Sequence, residues 1–84
     1  MRAYKFHGII LPDRYQFTAR DIYLVEDYLL TDNGDMDEVR KGLKKYASKI
    51  VKKHNLFPRD LKFKVIVNIN IDGFNEEVMV KFTK

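Results

Sequence analysis

Cysteine is missing from this chain altogether. Its absence excludes disulfides and thiolate metal centres and accords with a reducing, cytoplasmic setting. Long apolar runs are missing too. Near the N-terminus the longest is Ile9-Ile10-Leu11, stopped by Pro12, far short of the ~20 apolar residues of a membrane-spanning helix or the core of a secretory leader. The chain therefore reads as soluble and intracellular, with no membrane partner. Glycine is sparse: Gly8, Gly34, Gly42 and Gly73 are scattered, so there is no glycine-rich phosphate loop.

Groups that carry chemistry are equally scarce. Ser48 is the only serine, and His7 and His54 are the only histidines. Nucleophilic catalysis of the Ser-His-Asp kind needs a base within hydrogen-bond reach, and Ser48 has no histidine near it in sequence. His54 closes an apolar stripe, where packing or donation to a last-turn carbonyl accounts for it. His7 falls on the outward side of a strand. The acidic group Asp32, Asp35, Asp37 and Glu38 does not have the spacing of an EF-hand loop, and helix capping accounts for the same residues. No catalytic residue, metal, cofactor or small-molecule substrate is expected.

What is present is a basic excess with an uneven distribution. Residues 1–34 hold four basic and five acidic groups, residues 35–60 eight and four, and residues 61–84 four and three. The net charge of +4 thus comes from the middle of the chain, and such asymmetry raises an anionic partner.

Hydrophobic residues form 45% of the 84 residues, with six Phe and five Tyr, enough for one domain with one core. There is no internal repeat, low-complexity tract or linker. Residues 4–11, YKFHGIIL, alternate with the period of a strand and stop at Pro12-Asp13; RYQF, residues 14–17, offers a short returning strand. Residues 18–30 are read as a helix, because Thr18 and Asp21 form a capping pair and Ile22, Val25 and Leu29 share a helical face. Strand alternation there would set Glu26 or Asp27 within an apolar face.

TDNGD, residues 31–35, is a turn, with Asp35 or Asn33 available as a cap. From Met36 to about His54 the helical period is plain: Met36, Val39, Leu43, Tyr46, Ala47, Ile50, Val51 and His54 line one side. Asn55 and Pro58 end it. The last third is a hairpin with Leu61, Phe63, Val65, Val67, Ile69 and Ile71 facing Val78, Val80 and Phe82. A Gly73-Phe74 type II′ turn pairs Val67 with Val80; an Asp72-Gly73 turn shifts the register by two and keeps each side chain on its face. The expected fold class is α+β: an antiparallel sheet of three to four strands, with one long and one shorter helix on one face.

Two surfaces emerge as functional candidates. On the long helix, Lys41, Lys45, Lys49 and Lys52 lie opposite the apolar stripe, while Arg40, Lys44 and Lys53 flank it. Seven basic residues with no interleaved acid repel one another. Lysine supplies undirected charge, so this surface suits sequence-independent phosphate contact better than base reading. On the outer sheet face, Lys5, His7, Lys62, Lys64, Asn68, Asn70 and Lys81 surround Ile9, Ile66 and Met79. No aromatic is expected there, which disfavours base stacking, and Ile9, Ile66, Asn68, Asn70 and Met79 form a candidate protein contact. Strand edges offer another opening. The expected function is a small non-catalytic interaction or regulatory module that contacts a protein partner or itself, of the kind found among phage and mobile-element accessory proteins. The alternative is sequence-nonspecific nucleic-acid binding through residues 40–53.

Overall fold

The strand expected at 4–11 runs from Arg2 to Pro12 (β1) in the computed structural model, which describes residues 1–84 throughout. Tyr4, Phe6 and Ile10 point to the core and are buried. Pro12 has no N–H to continue the ladder, and the next amide, that of Asp13, donates to the Lys62 carbonyl at 2.8 Å.

The helix expected over residues 18–30 does not form. The Thr18–Asp21 capping pair is real, with the Thr18 amide donating to Asp21 Oδ2 at 2.9 Å, but it closes only a single 3-10 turn, Ala19–Asp21. From Tyr23 to Thr31 the chain is a strand (β2) that pairs antiparallel with β1, from Arg2 opposite Thr31 to Ile10 opposite Tyr23. RYQF is not the returning strand; β2 is. Period two sends Val25, Leu29 and Thr31 inward, all buried, and gives the backbone a full ladder. Asp27 does fall on the inward side, opposite Phe6. It is tolerated because β2 is an edge strand, where a short carboxylate reaches water past the free edge.

Met36–Lys53 forms the helix (α1). Asp35 caps it by accepting from the Glu38 amide at 2.9 Å, and Glu38 reaches back to accept the amides of Asp32, Asn33 and Gly34 at 3.0, 3.0 and 2.9 Å. At the other end Asn55 adopts a φ of 47°. Its amide donates to Lys52 O and that of Leu56 to Val51 O, a Schellman closure with asparagine in the left-handed position usually held by glycine. Asn55 thus ends the helix as expected. α1 is not long and apolar enough to cross a membrane.

Lys62–Ile71 (β3) and Phe74–Thr83 (β4) form the second hairpin. Its turn is Asp72-Gly73, not Gly73-Phe74. Both central residues have positive φ, 51° and 90°, the signature of a type I′ turn, and Asn70 Oδ1 accepts the Gly73 amide at 3.1 Å. Val67 therefore faces Val78, Val65 faces Val80 and Phe63 faces Phe82. Leu61 precedes the strand and is exposed.

The sheet order is β2-β1-β3-β4, antiparallel throughout. α1 leaves one edge strand and returns the chain to β3 on the far side of β1. It lays Val39, Leu43, Ala47 and Val51 on the inner sheet face, where they are buried among Phe6, Phe63, Val65, Val67 and Ile69. Phe6 meets Tyr46 edge to face at 5.1 Å, and Phe63 stacks on Phe82 at 5.6 Å. The two hairpins join at β1 and β3. There Gly8 allows a close approach, since a Cβ on it would sit 2.6 Å from Val67 Cα and closer still to the Ile66 carbonyl oxygen.

Candidate interaction surfaces

The face of the sheet turned away from α1 is built by strand register. Leu24 of β2 lies opposite Ile9 of β1, Ile9 opposite Ile66 of β3, and Ile66 opposite Met79 of β4. The three aliphatics expected as scattered contacts are therefore neighbours, and a fourth residue completes an apolar row across all four strands. The middle of the row is half-buried by its own neighbours; its ends are open, Leu24 at 77% and Met79 at 50% exposure.

On one side of this row stand Leu11, Lys64 and Lys81, and on the other Glu26, His7, Asn68 and Glu77. Leu11 is buried outside the main core cluster. Beyond the acidic side, Lys5 lies opposite Tyr28, Ala3 opposite Leu30, and Asn70 opposite Asn75. Lys5 pairs with Glu26 at 3.2 Å, and Asn70 Nδ2 donates to Asn75 Oδ1 at 3.2 Å. Asn70 is thus committed to its own hairpin, and Asn68, level with His7 and Glu77, is the freer of the two amides.

This face is not free of aromatics. Tyr28 stands on it at 60% exposure and Leu30 beside it at 62%. Leu24, Tyr28 and Leu30 were hidden by the helical reading of 18–30; the alternation Leu24, Glu26, Tyr28, Leu30 against Tyr23, Val25, Asp27, Leu29 carried the signal. The edges are less inviting than the face. Each edge strand holds a carboxylate on its inward side, Asp27 opposite Phe6 and Glu76 opposite Ile69, both exposed. Inward-pointing charge of this sort blunts pairing with another strand.

The second surface lies on the other side of the molecule. Arg40, Lys41, Lys44, Lys45, Lys49, Lys52 and Lys53 are all exposed, and none forms an ion pair; the five ion pairs in the structure use Arg2, Lys5, Arg14 twice and Lys81. Lys41, Lys44, Lys45, Lys49 and Lys52 surround Ser48 in one shallow depression on α1. Lys44 also borders a second hollow with Lys62 and Lys81, where Asp13 supplies one carboxylate among the three lysines.

Elsewhere the charged groups serve the fold. Arg14 holds the β1–β2 connection, with Nε on Asp60 at 3.0 Å, Nη2 on Asp21 at 3.3 Å and Nη1 on the Gln16 carbonyl. The Thr18 amide, with Arg14 alongside, holds the Asp21 carboxyl below its ordinary pKa. The amides of Asp32, Gly34 and Asn33 do the same for Glu38. Burial, with the Asp27 carboxylate adding to it, raises the Tyr46 phenol above its usual value. His54 is exposed, with its ring 5.5 Å from that of Tyr23 and its backbone amide donating to Ile50 O. Comparison with protein families, curated proteins and solved structures returns no match for this chain.

Proposed function

We propose that this chain is a non-catalytic interaction module that binds protein through the outer face of its sheet. The observation that supports this most strongly is the apolar row Leu24–Ile9–Ile66–Met79, continuous across four strands, with Tyr28 and Leu30 exposed farther along β2, beyond Glu26. A sheet normally buries the side that carries such a row, and contiguous apolar surface rimmed by charge is the usual anatomy of a contact site. The inward carboxylates of both edge strands favour the face over strand addition. The test is affinity isolation followed by mass spectrometry with the wild type, Met79→Lys and the pair Lys45→Glu/Lys49→Glu. Met79 and both lysines are exposed, so these changes spare the core. Proteins held by the wild type should be lost with Met79→Lys and kept by the helix variant; equal retention by Met79→Lys would sink the proposal.

A second reading rests on a separate observation, the unpaired basic surface of α1. Seven cations without carboxylate partners are suited to phosphates along a nucleic-acid backbone, sequence-independently, with affinity falling steeply as salt rises. Fluorescence anisotropy with labelled duplex DNA, single-stranded DNA and RNA tests it. Binding that vanishes with Lys45→Glu/Lys49→Glu and survives Met79→Lys supports this reading, and absence of binding even at low salt removes it.

A further inference from the structure

We infer that the occupant of the outer sheet face is a second copy of this chain, packed face to face about a two-fold axis that runs along the Leu24–Ile9–Ile66–Met79 row. The inference deepens the protein-contact reading above and rests on it.

Two copies that bury the same face against each other are related by a two-fold axis lying in the plane between them. Two axes keep the apolar rows in register. One runs along the row; the other runs along the strands, between β1 and β3. Register tells them apart. Two residues from the row on either side stand Lys81 and Glu77 on β4, Lys64 and Asn68 on β3, and Leu11 and His7 on β1.

A half-turn about the row exchanges the members of each pair. Lys81 of one copy then lies over Glu77 of the other, twice by symmetry, and Lys64 lies over Asn68. A half-turn about the strand direction instead exchanges β4 with β2 and β3 with β1. That places Glu77 over Glu26, acid on acid, and leaves Lys64 over Leu11. The charges are complementary only for the first axis, and electrostatic complementarity of this kind sets orientation.

Within its own copy Glu77 has no ion-pair partner, and Lys81 has one only at long range, Asp13 at 3.9 Å, the outer limit of an ion pair. The arrangement also leaves strands of the two copies aligned within the ~30° of ordinary sheet-on-sheet packing. Four strands at ~4.8 Å spacing and about nine residues at ~3.3 Å each give a face of roughly 600 Å² per copy. That falls somewhat below the ~800 Å² per partner of a standard interface, so the dimer is reversible and dissociates on dilution.

Sedimentation equilibrium of the full chain, from about 1 µM to about 1 mM, tests the inference. Wild type should pass from monomer to dimer across this range. Lys81→Glu and Glu77→Lys should each weaken association about tenfold or more, because the changed contact occurs twice, and the double variant should recover most of the loss. Met79→Lys and Leu24→Lys should abolish the dimer; circular dichroism verifies that each variant is folded. A chain that stays monomeric throughout overturns self-association and leaves the outer face available to a different protein. A dimer indifferent to the charge exchange overturns this geometry. A dimer that also survives Met79→Lys and Leu24→Lys overturns the outer face itself, and with it the protein-contact reading.

Discussion

The two hairpins of this sheet are built on different principles. The β3–β4 hairpin is closed by two residues, Asp72 and Gly73, and its turn is held by groups within it: Asn70 on the Gly73 amide and Asn70 on Asn75. The β1–β2 hairpin is closed by residues 13–22, with one 3-10 turn and a clamp made by Arg14 on Asp21 and on Asp60, the latter just before β3. Its second strand is tied to α1 by Glu38, which grips the turn at 32–34. One hairpin carries its own instructions. The other depends on elements distant in sequence, and it also supplies Leu24, Tyr28 and Leu30 to the outer face.

Gly8→Ala should have the largest effect on this pair, because it strikes the seam between the hairpins. The new Cβ meets the backbone of Ile66 and Val67, which cannot move aside as a side chain would. A loss of about 3 kcal/mol or more is expected, a large share of the stability of so small a domain. Denaturant unfolding measures it, and a loss under about 1 kcal/mol would mean that β1 and β3 adjust freely at this point.

Gly73→Ala confines the damage to the self-contained hairpin. Nothing crowds the new methyl, so the penalty is conformational: at φ 90° an alanine costs about 1–2 kcal/mol. Amide exchange should quicken at the β3–β4 turn more than in β1 and β2. Equal acceleration in both hairpins would erase the distinction drawn between them.

Thr31→Val should act on the dependent hairpin with the opposite sign. Thr31 is buried at the end of β2 and its hydroxyl has no hydrogen-bond partner. Replacing it with a methyl of similar size should stabilise by ~1 kcal/mol, seen as a rise in Tm of about 4–8 °C. No rise, or a fall, would show that the hydroxyl is satisfied in solution.

The smallest effect concerns the tether between β2 and α1, and it depends on pH. The amides of Asp32, Gly34 and Asn33 lower the pKa of Glu38. A carboxylate lowered in the folded state stabilises fully above its unfolded pKa, about 4.3, and loses that contribution as pH falls toward the folded value. Glu38→Gln should therefore lower Tm at pH 7 and matter progressively less below about pH 4. A difference between wild type and variant that stays constant from pH 7 to pH 3 would remove the carboxylate's charge from the account.

The same contrast explains what is legible in the sequence. The apolar alternation on the inner side is unbroken from Phe63 to Ile69 in β3 and from Val78 to Phe82 in β4, and either turn choice preserves it, so a two-residue error of register left the core intact. α1 was legible for a similar reason: its stripe, its Asp35 cap and its Asn55 stop are local. In β2 the local signals were true but subordinate. Thr18 and Asp21 do cap a turn, and Asp27 does interrupt an apolar face. Only the ladder with β1 turned the segment into a strand, and only its edge position made Asp27 tolerable.

The sequence by itself determined the inward faces of β1, β3 and β4, the helix with its caps, and the seven exposed cations on that helix, because period, capping and charge are properties of neighbouring residues. Tertiary structure decided the strand at 23–31, the sheet order, and the alignment of Leu24, Ile9, Ile66 and Met79 into one row. Those depend on register between residues up to 63 positions apart, as Phe6 and Ile69 are, and register is set by long-range burial and ladder hydrogen bonds that no local window contains.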